Sequence, residues 1–166
     1  MDAYIHCVEA LSGLYRNAIG DAYSEQTITL CREVFNSDDM MSDDNRSKMM
    51  VASYLGGCSI ATSYVGVVHP FSAGLSVVLR VHHCIANCIT MRAMEEFYPN
   101  EYSEFWKMVD KQRIEVPEGV CANLTDEKYD QLYASTVIHE KPLTNAFGEN
   151  FKEILSRNIL FIFSVY

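Results

Sequence analysis

Strand-length stretches of alternating polar and apolar residues are almost absent from this chain, and neither Asn-Gly nor Asp-Gly occurs to turn a hairpin, so a β-sheet fold is not expected. The six cysteines, Cys7, Cys31, Cys58, Cys84, Cys88 and Cys121, never form a C-x-x-C pair, and their spacing matches neither a zinc ribbon nor a secreted disulfide framework. Free, mostly buried thiols in a reducing compartment are expected instead. The 13 Lys and Arg residues form no basic run and the net charge is -9, which argues against a nucleic-acid partner. No leader with a charged start, an apolar middle and a cleavage site opens the chain, and the apolar tail Ile159-Leu160-Phe161-Ile162-Phe163 is far too short to cross a bilayer. A cytoplasmic protein without a membrane partner is the expectation. Also missing is any glycine-rich phosphate loop following a strand, so the main dinucleotide site of a nicotinamide enzyme is not expected here.

What the chain does have is helical periodicity. At 166 residues it is long enough for one domain with a real core, and no repeat, linker or second boundary divides it. Ile5, Val8, Leu11, Leu14 and Tyr15 predict a first helix over 1–18, with Gly20 as its stop. Ser24 reads as the N-cap of a second helix over 24–35, followed by an acidic loop over 36–44. A long helix over 45–68, rich in Ala, Ser and Gly, is expected in the middle of the core, because small residues let neighbours approach closely. His69-Pro70 ends that run, since the residue before a proline is pushed out of the helical region. Further helices are predicted over 71–81, 84–98, 101–112 and 125–138, with Thr125 beside the last N-terminus. The expected fold is an all-α bundle, one helical domain spanning 1–166.

The chemistry-bearing residues lie at both edges of the apolar stretch 66–87 and at the start of the chain. Asp2 and His6 stand at i, i+4 and so project from one helix face. His69 and His83 flank an apolar helix, and imidazoles in apolar surroundings need hydrogen-bond partners or a metal. Each residue alone has a plainer explanation. Asp2 suits the first turn of a helix through the dipole, His69 could cap a helix end, and His82 or His83 could be an ordinary core or surface histidine. Jointly, Asp2, His6, His69 and His83 form a set of one carboxylate and three imidazoles, which suits Fe(II) or Zn(II) far better than Mg(II) or Ca(II). A cation so held would polarise an alcohol and orient its carbon for hydride loss.

Asp2-Ala3-x-x-His6, the helix containing Leu55-Gly56-Gly57, Gly66-x-x-His69, and the step of fourteen positions to His83 followed by Ile85-Ala86-Asn87 resemble the metal-binding half of the iron-dependent alcohol dehydrogenases, over most of the chain. The resemblance implies that Asp2, His6, His69 and His83 are the metal ligands, His83 being chosen over His82 by spacing. It also implies an all-helical C-terminal domain packed on a Rossmann-like N-terminal domain. That second domain is not found in this sequence, so NAD(P) would be bound only by a full two-domain form. The chain departs from the family at Ala73, where many members carry another histidine, at Cys84, where glycine is usual, and over the apolar stretch 156–166, which does not resemble the family's closing helix.

Within the family, Tyr54-Leu55-Gly56-Gly57-Cys58-Ser59, His82-His83-Cys84 and His139-Glu140-Lys141-Pro142-Leu143-Thr144-Asn145 look most like the 3-deoxy-D-manno-octulosonate 8-oxidase branch. That likeness implies oxidation of the C8 hydroxyl of a sugar acid to an aldehyde, on the way to an amino sugar of lipopolysaccharide. Two other readings stand beside it: a generic iron-dependent polyol or alcohol dehydrogenase fragment, and a helical metal-binding domain that turns nothing over. Loss of a covering domain would bare an apolar face, so self-association into a homo-oligomer is expected as well.

Overall fold

The computed structural model describes residues 1–155. Eight α-helices and one 3-10 turn precede a further helical stretch over 151–155, and no strand occurs among the described residues. They are α1 (Asp2–Ser12), α2 (Ala18–Phe35), α3 (Asp43–Ser63), α4 (Val68–Leu79), α5 (His83–Thr90), the 3-10 turn Met91–Ala93, α6 (Pro99–Lys111), α7 (Asp126–Val137) and α8 (Glu140–Phe147).

The middle of the core belongs to α1. Ala3, Tyr4, Ile5, Cys7, Val8, Glu9 and Ala10 are all buried, because α2 and α3 pack on one side of it and α5 approaches on another. Complete burial of Ile5 and Val8 contributes about 1.5–3 kcal/mol each. Tyr4 donates its hydroxyl to Glu104 Oε2 at 2.6 Å, and Arg32 from α2 reaches the same carboxylate, which ties α1 to α2 and α6. The expectation of a crowded central α3 is corrected. That helix buries only Asn45, Ala52, Gly56, Ser59 and Ser63, a narrow stripe of mostly small side chains that lets it lie close against α1 and α2, while Met50, Val51 and Tyr54 face outward.

Other boundaries also move. The first helix stops at Ser12, and α2 starts at Ala18 because Asn17, not Ser24, caps it: the Asn17 side chain accepts from the backbone N–H of Ile19 and Gly20 at 3.2 and 3.0 Å. Ser24 is instead buried within α2, its hydroxyl 2.6 Å from that of Ser59. Gly20, read as a stop, sits inside α2 where a Cβ would lie 1.9 Å from Ser63 Oγ. Pro70 falls in the first turn of α4, so His69 is a helical residue and not the end of the preceding run. The predicted helix over 84–98 breaks after Thr90 into the 3-10 turn, and α6 begins at Pro99. Thr125 caps α7 as expected.

The helix α8 was not anticipated. Its Asn145 is fully buried and holds the α1–α2 connection to the end of α3, accepting from Tyr15 N at 2.7 Å and donating to the carbonyls of Ser63 and Val65 at 3.1 and 3.0 Å. The apolar stretch 156–166 lies outside the described residues. No single helix among the described residues is long and apolar enough to cross a membrane.

Candidate metal centre

Three helices bring their N-terminal turns to one place. The start of α1 supplies Asp2 and, one turn on, His6; the first turn of α4 supplies His69; the first residue of α5 is His83. One donor atom from each of these residues lies within 4.8 Å of all the others, and no other such group of His, Cys, Asp and Glu occurs among the described residues. His82, adjacent to His83, is not part of the group and forms the N-cap position of α5.

The spacing suits a small cation. Asp2 Oδ1 is 3.7 Å from both His6 Nε2 and His69 Nε2, close to the roughly 3.4 Å that separates neighbouring donors around a tetrahedral ion with bonds of about 2.1 Å. The rings of His6 and His69 stack with centroids 4.6 Å apart, and the His69 and His83 centroids are 5.4 Å apart. His83 is exposed while the other three are half-buried, so the group opens to solvent on the α5 side.

The electrostatics follow from burial and from this crowding. Burial alone would raise the Asp2 pKa, but His69, His6 and the Asn87 amide hold the carboxyl well below its ordinary range. His6 is lowered to about 4, first by burial and then by the neighbouring His69. His83 is lowered as well, for the same two leading reasons apart from the partial offset by Asp2. For His69, burial acts downward but the carboxylates of Glu9 and Asp2 outweigh it, and the pKa rises to about 9.

Two further residues complete the surroundings. Asn87, one turn after His83 and fully buried, donates through Nδ2 to Asp2 Oδ1 at 2.5 Å, and the same nitrogen lies 3.2 Å from His69 Nε2 and from His83 Nε2. Glu9, on α1, is fully buried and hydrogen-bonded to His69 Nδ1. Sequence reasoning assigned neither of them a role. A signal for Glu9 was present: it stands four residues after Ile5 on the apolar face of α1, where a carboxylate is out of place unless something pairs with it.

The profile of the family described as "Fe-containing alcohol dehydrogenase family, C-terminal" matches residues 1–142. The chain belongs to that family. Membership in the Fe-containing alcohol dehydrogenases implies a metal cofactor, and Asp2, His6, His69 and His83 are the group among the described residues that could hold one. Curated relatives agree with the family. "Alcohol dehydrogenase 4" of Schizosaccharomyces pombe is 27% identical over 99 residues, covering 58% of this chain and 24% of the relative. "NAD-dependent methanol dehydrogenase" of Bacillus methanolicus is 29% identical over 96 residues, covering 55% of this chain and 24% of the relative. The matched stretch is thus about a quarter of the length of each relative.

Cavities place limits on where a small molecule could sit. A cavity of about 240 Å³ opens beside Asp2, lined chiefly by Met1, Phe35, Ile85, Cys88, Ile114 and Val116. A larger groove, about 950 Å³, runs between α2 and α3 past Met40, Met41, Met49, Met50 and Tyr54, and none of the four donors faces it.

Proposed function

We propose that these 166 residues are the metal-holding helical domain of an oxidoreductase that oxidises an alcohol with a nicotinamide acceptor. The observation that carries the reading is the convergence of Asp2, His6, His69 and His83 from three helices onto one point. A bound Fe(II) or Zn(II) would act as a Lewis acid toward the alcohol oxygen and lower the pKa of its hydroxyl. The side chains do the remaining work. Asp2 brings the negative charge that offsets three helix N-termini, Asn87 holds Asp2 in place, and the exposed side at His83 leaves an approach for substrate.

The names of both relatives support an alcohol as substrate, and that of the Bacillus methanolicus relative supports NAD as acceptor. Because no glycine-rich phosphate loop lies within the 166 residues, the nicotinamide would be held by protein beyond them. The finer proposal is a sugar acid, 3-deoxy-D-manno-octulosonate, oxidised at C8. Its support is the likeness of residues 54–59, 82–84 and 139–145 to the 8-oxidase branch. The six free cysteines fit a cytoplasmic setting.

Metal analysis of the purified protein tests the first claim: near-stoichiometric Fe or Zn is expected, and a His69→Ala variant that kept it unchanged would defeat the reading. Assays with the sugar acid and with short primary alcohols test the second, and a preference for the short alcohols would remove the octulosonate assignment. A domain that binds metal but turns nothing over unaided is the other reading, favoured by the missing phosphate loop. Turnover by the isolated chain would exclude it.

A further inference from the structure

The buried carboxylate of Glu9 stands outside the four donors and contacts one of them, His69, together with the backbone that carries it. Val67, at the N-cap of α4, offers no side-chain acceptor, so the first N–H groups of that helix need a partner from elsewhere. Glu9 supplies it from α1: Oε1 accepts from Val68 N at 2.5 Å and from His69 N at 3.3 Å. Its other oxygen, Oε2, meets His69 Nδ1. Gly66 lies beside this contact, where a Cβ would crowd the Tyr98 hydroxyl at 3.0 Å and come within 3.4 Å of the Glu9 side chain. A carboxylate so placed is held by two backbone donors and a helix N-terminus, which fixes which oxygen faces the imidazole.

The tautomer of His69 follows from that fixed oxygen. Whenever the ring is neutral, Nδ1, facing the nearer carboxylate, must keep the proton, and the proton given up on metal binding leaves the lone pair on Nε2, the atom that lies 3.7 Å from Asp2 Oδ1. We propose that Glu9 is a positioning residue that caps α4 and, through the Nδ1–H of His69, aims the Nε2 lone pair of that histidine into the four-residue group. The inference rests on the reading of that group as a metal centre.

Glu9→Gln separates the cap from the aim. Its amide oxygen can still accept from Val68 and His69, but its NH₂ then faces Nδ1, which must become an acceptor and push the proton to Nε2. Two measurements on the full chain are needed: Co(II) titration followed by d–d absorption, and ¹⁵N NMR of the His69 ring in chelator-treated protein at a pH high enough for that ring to be neutral. Co(II) affinity is expected to fall about 10–100-fold in Glu9→Gln, with partial recovery in Glu9→Asp, and the ring proton should move from Nδ1 to Nε2. Unchanged affinity and an unchanged tautomer in Glu9→Gln would overturn the proposal, as would an Nε2–H tautomer in the unaltered protein. Failure of the unaltered protein to bind Co(II) would instead sink the metal reading, while the NMR result would still report on Glu9. Should Glu9→Gln not fold, Glu9→Asp and the tautomer of the unaltered protein decide the matter.

Discussion

Asn87 Nδ2 lies 2.5 Å from Asp2 Oδ1, across 85 positions of sequence, and joins the first turn of α1 to the second turn of α5. The same nitrogen faces His69 and His83, so one amide touches three of the four donor residues. That arrangement ties the geometry of the candidate centre to the packing of α5 on α1.

Removing the amide should therefore loosen the centre without touching a donor. Asn87→Ala is expected to weaken Co(II) affinity by about 10–100-fold, the usual cost of losing an orienting neighbour. It should also lower stability by about 1–3 kcal/mol, because the half-buried Asp2 carboxylate loses a donor. Titration and urea unfolding measure the two effects. Full-strength binding in Asn87→Ala would show that Asp2 is held by other means.

Metal affinity should rise with pH. His69 keeps its second proton up to about pH 9, held there by Glu9 and Asp2 against the effect of burial, and a cation must displace that proton. Co(II) affinity is thus expected to climb by up to about tenfold per pH unit between pH 6.5 and 8.5, with one proton released. His6, at about 4, is already neutral over this range and adds nothing. A flat profile would mean that His69 does not bind the cation.

The same two histidines make opposite contributions to stability in chelator-treated protein. The raised His69 pKa stabilises fully below pH 6.5, and the contribution is lost as pH rises through about 9. The lowered His6 pKa stabilises above pH 6.5, and that contribution is lost as pH falls through about 4. Melting temperature measured against pH should fall on both sides of a plateau near pH 6.5, and His6→Asn should flatten the acid side only.

Two glycines of α2 and α3 should respond in opposite directions to alanine. At Gly20 a Cβ would collide with Ser63, whose hydroxyl also accepts from Asn17 Nδ2 at 3.0 Å, so the helices must part. A loss of about 1–3 kcal/mol is expected. At Gly57 nothing lies within 4 Å, and Gly57→Ala should gain about 0.5–1 kcal/mol from helix propensity. Equal effects at the two sites in denaturant melts would contradict the close approach of α2 to α3.

Cys84 is exposed, yet its thiol should be a slow nucleophile. Partial burial and the Asp2 carboxylate, 3.8 Å away, push its pKa up, so little thiolate forms at neutral pH. Alkylation at Cys84 is expected to be slower than for a free cysteine and to quicken in Asp2→Asn. Mass spectrometry of the labelled protein measures the rate, and rapid labelling of the unaltered protein would show that the carboxylate does not act on this thiol.

The helical class and the Asp2–His6 pair were determined by the sequence itself, because both depend on periods of 3.6 residues that any stretch of chain carries locally. The Thr125 cap was legible for the same reason. Tertiary structure decided the rest. Asn17 and Ser24 are both good caps by residue type, and the choice fell to Asn17 because Ser24 is buried against Ser59 on a neighbouring helix. The outward position of α3 depends on which partners cover α1, and hydrophobic content alone does not specify that. Glu9 and Asn87 became meaningful only once the N-terminus of α4 and the carboxylate of Asp2 were brought to them. A buried polar group is accounted for by its partner, and the partner here lies 59 or 85 positions away in the chain.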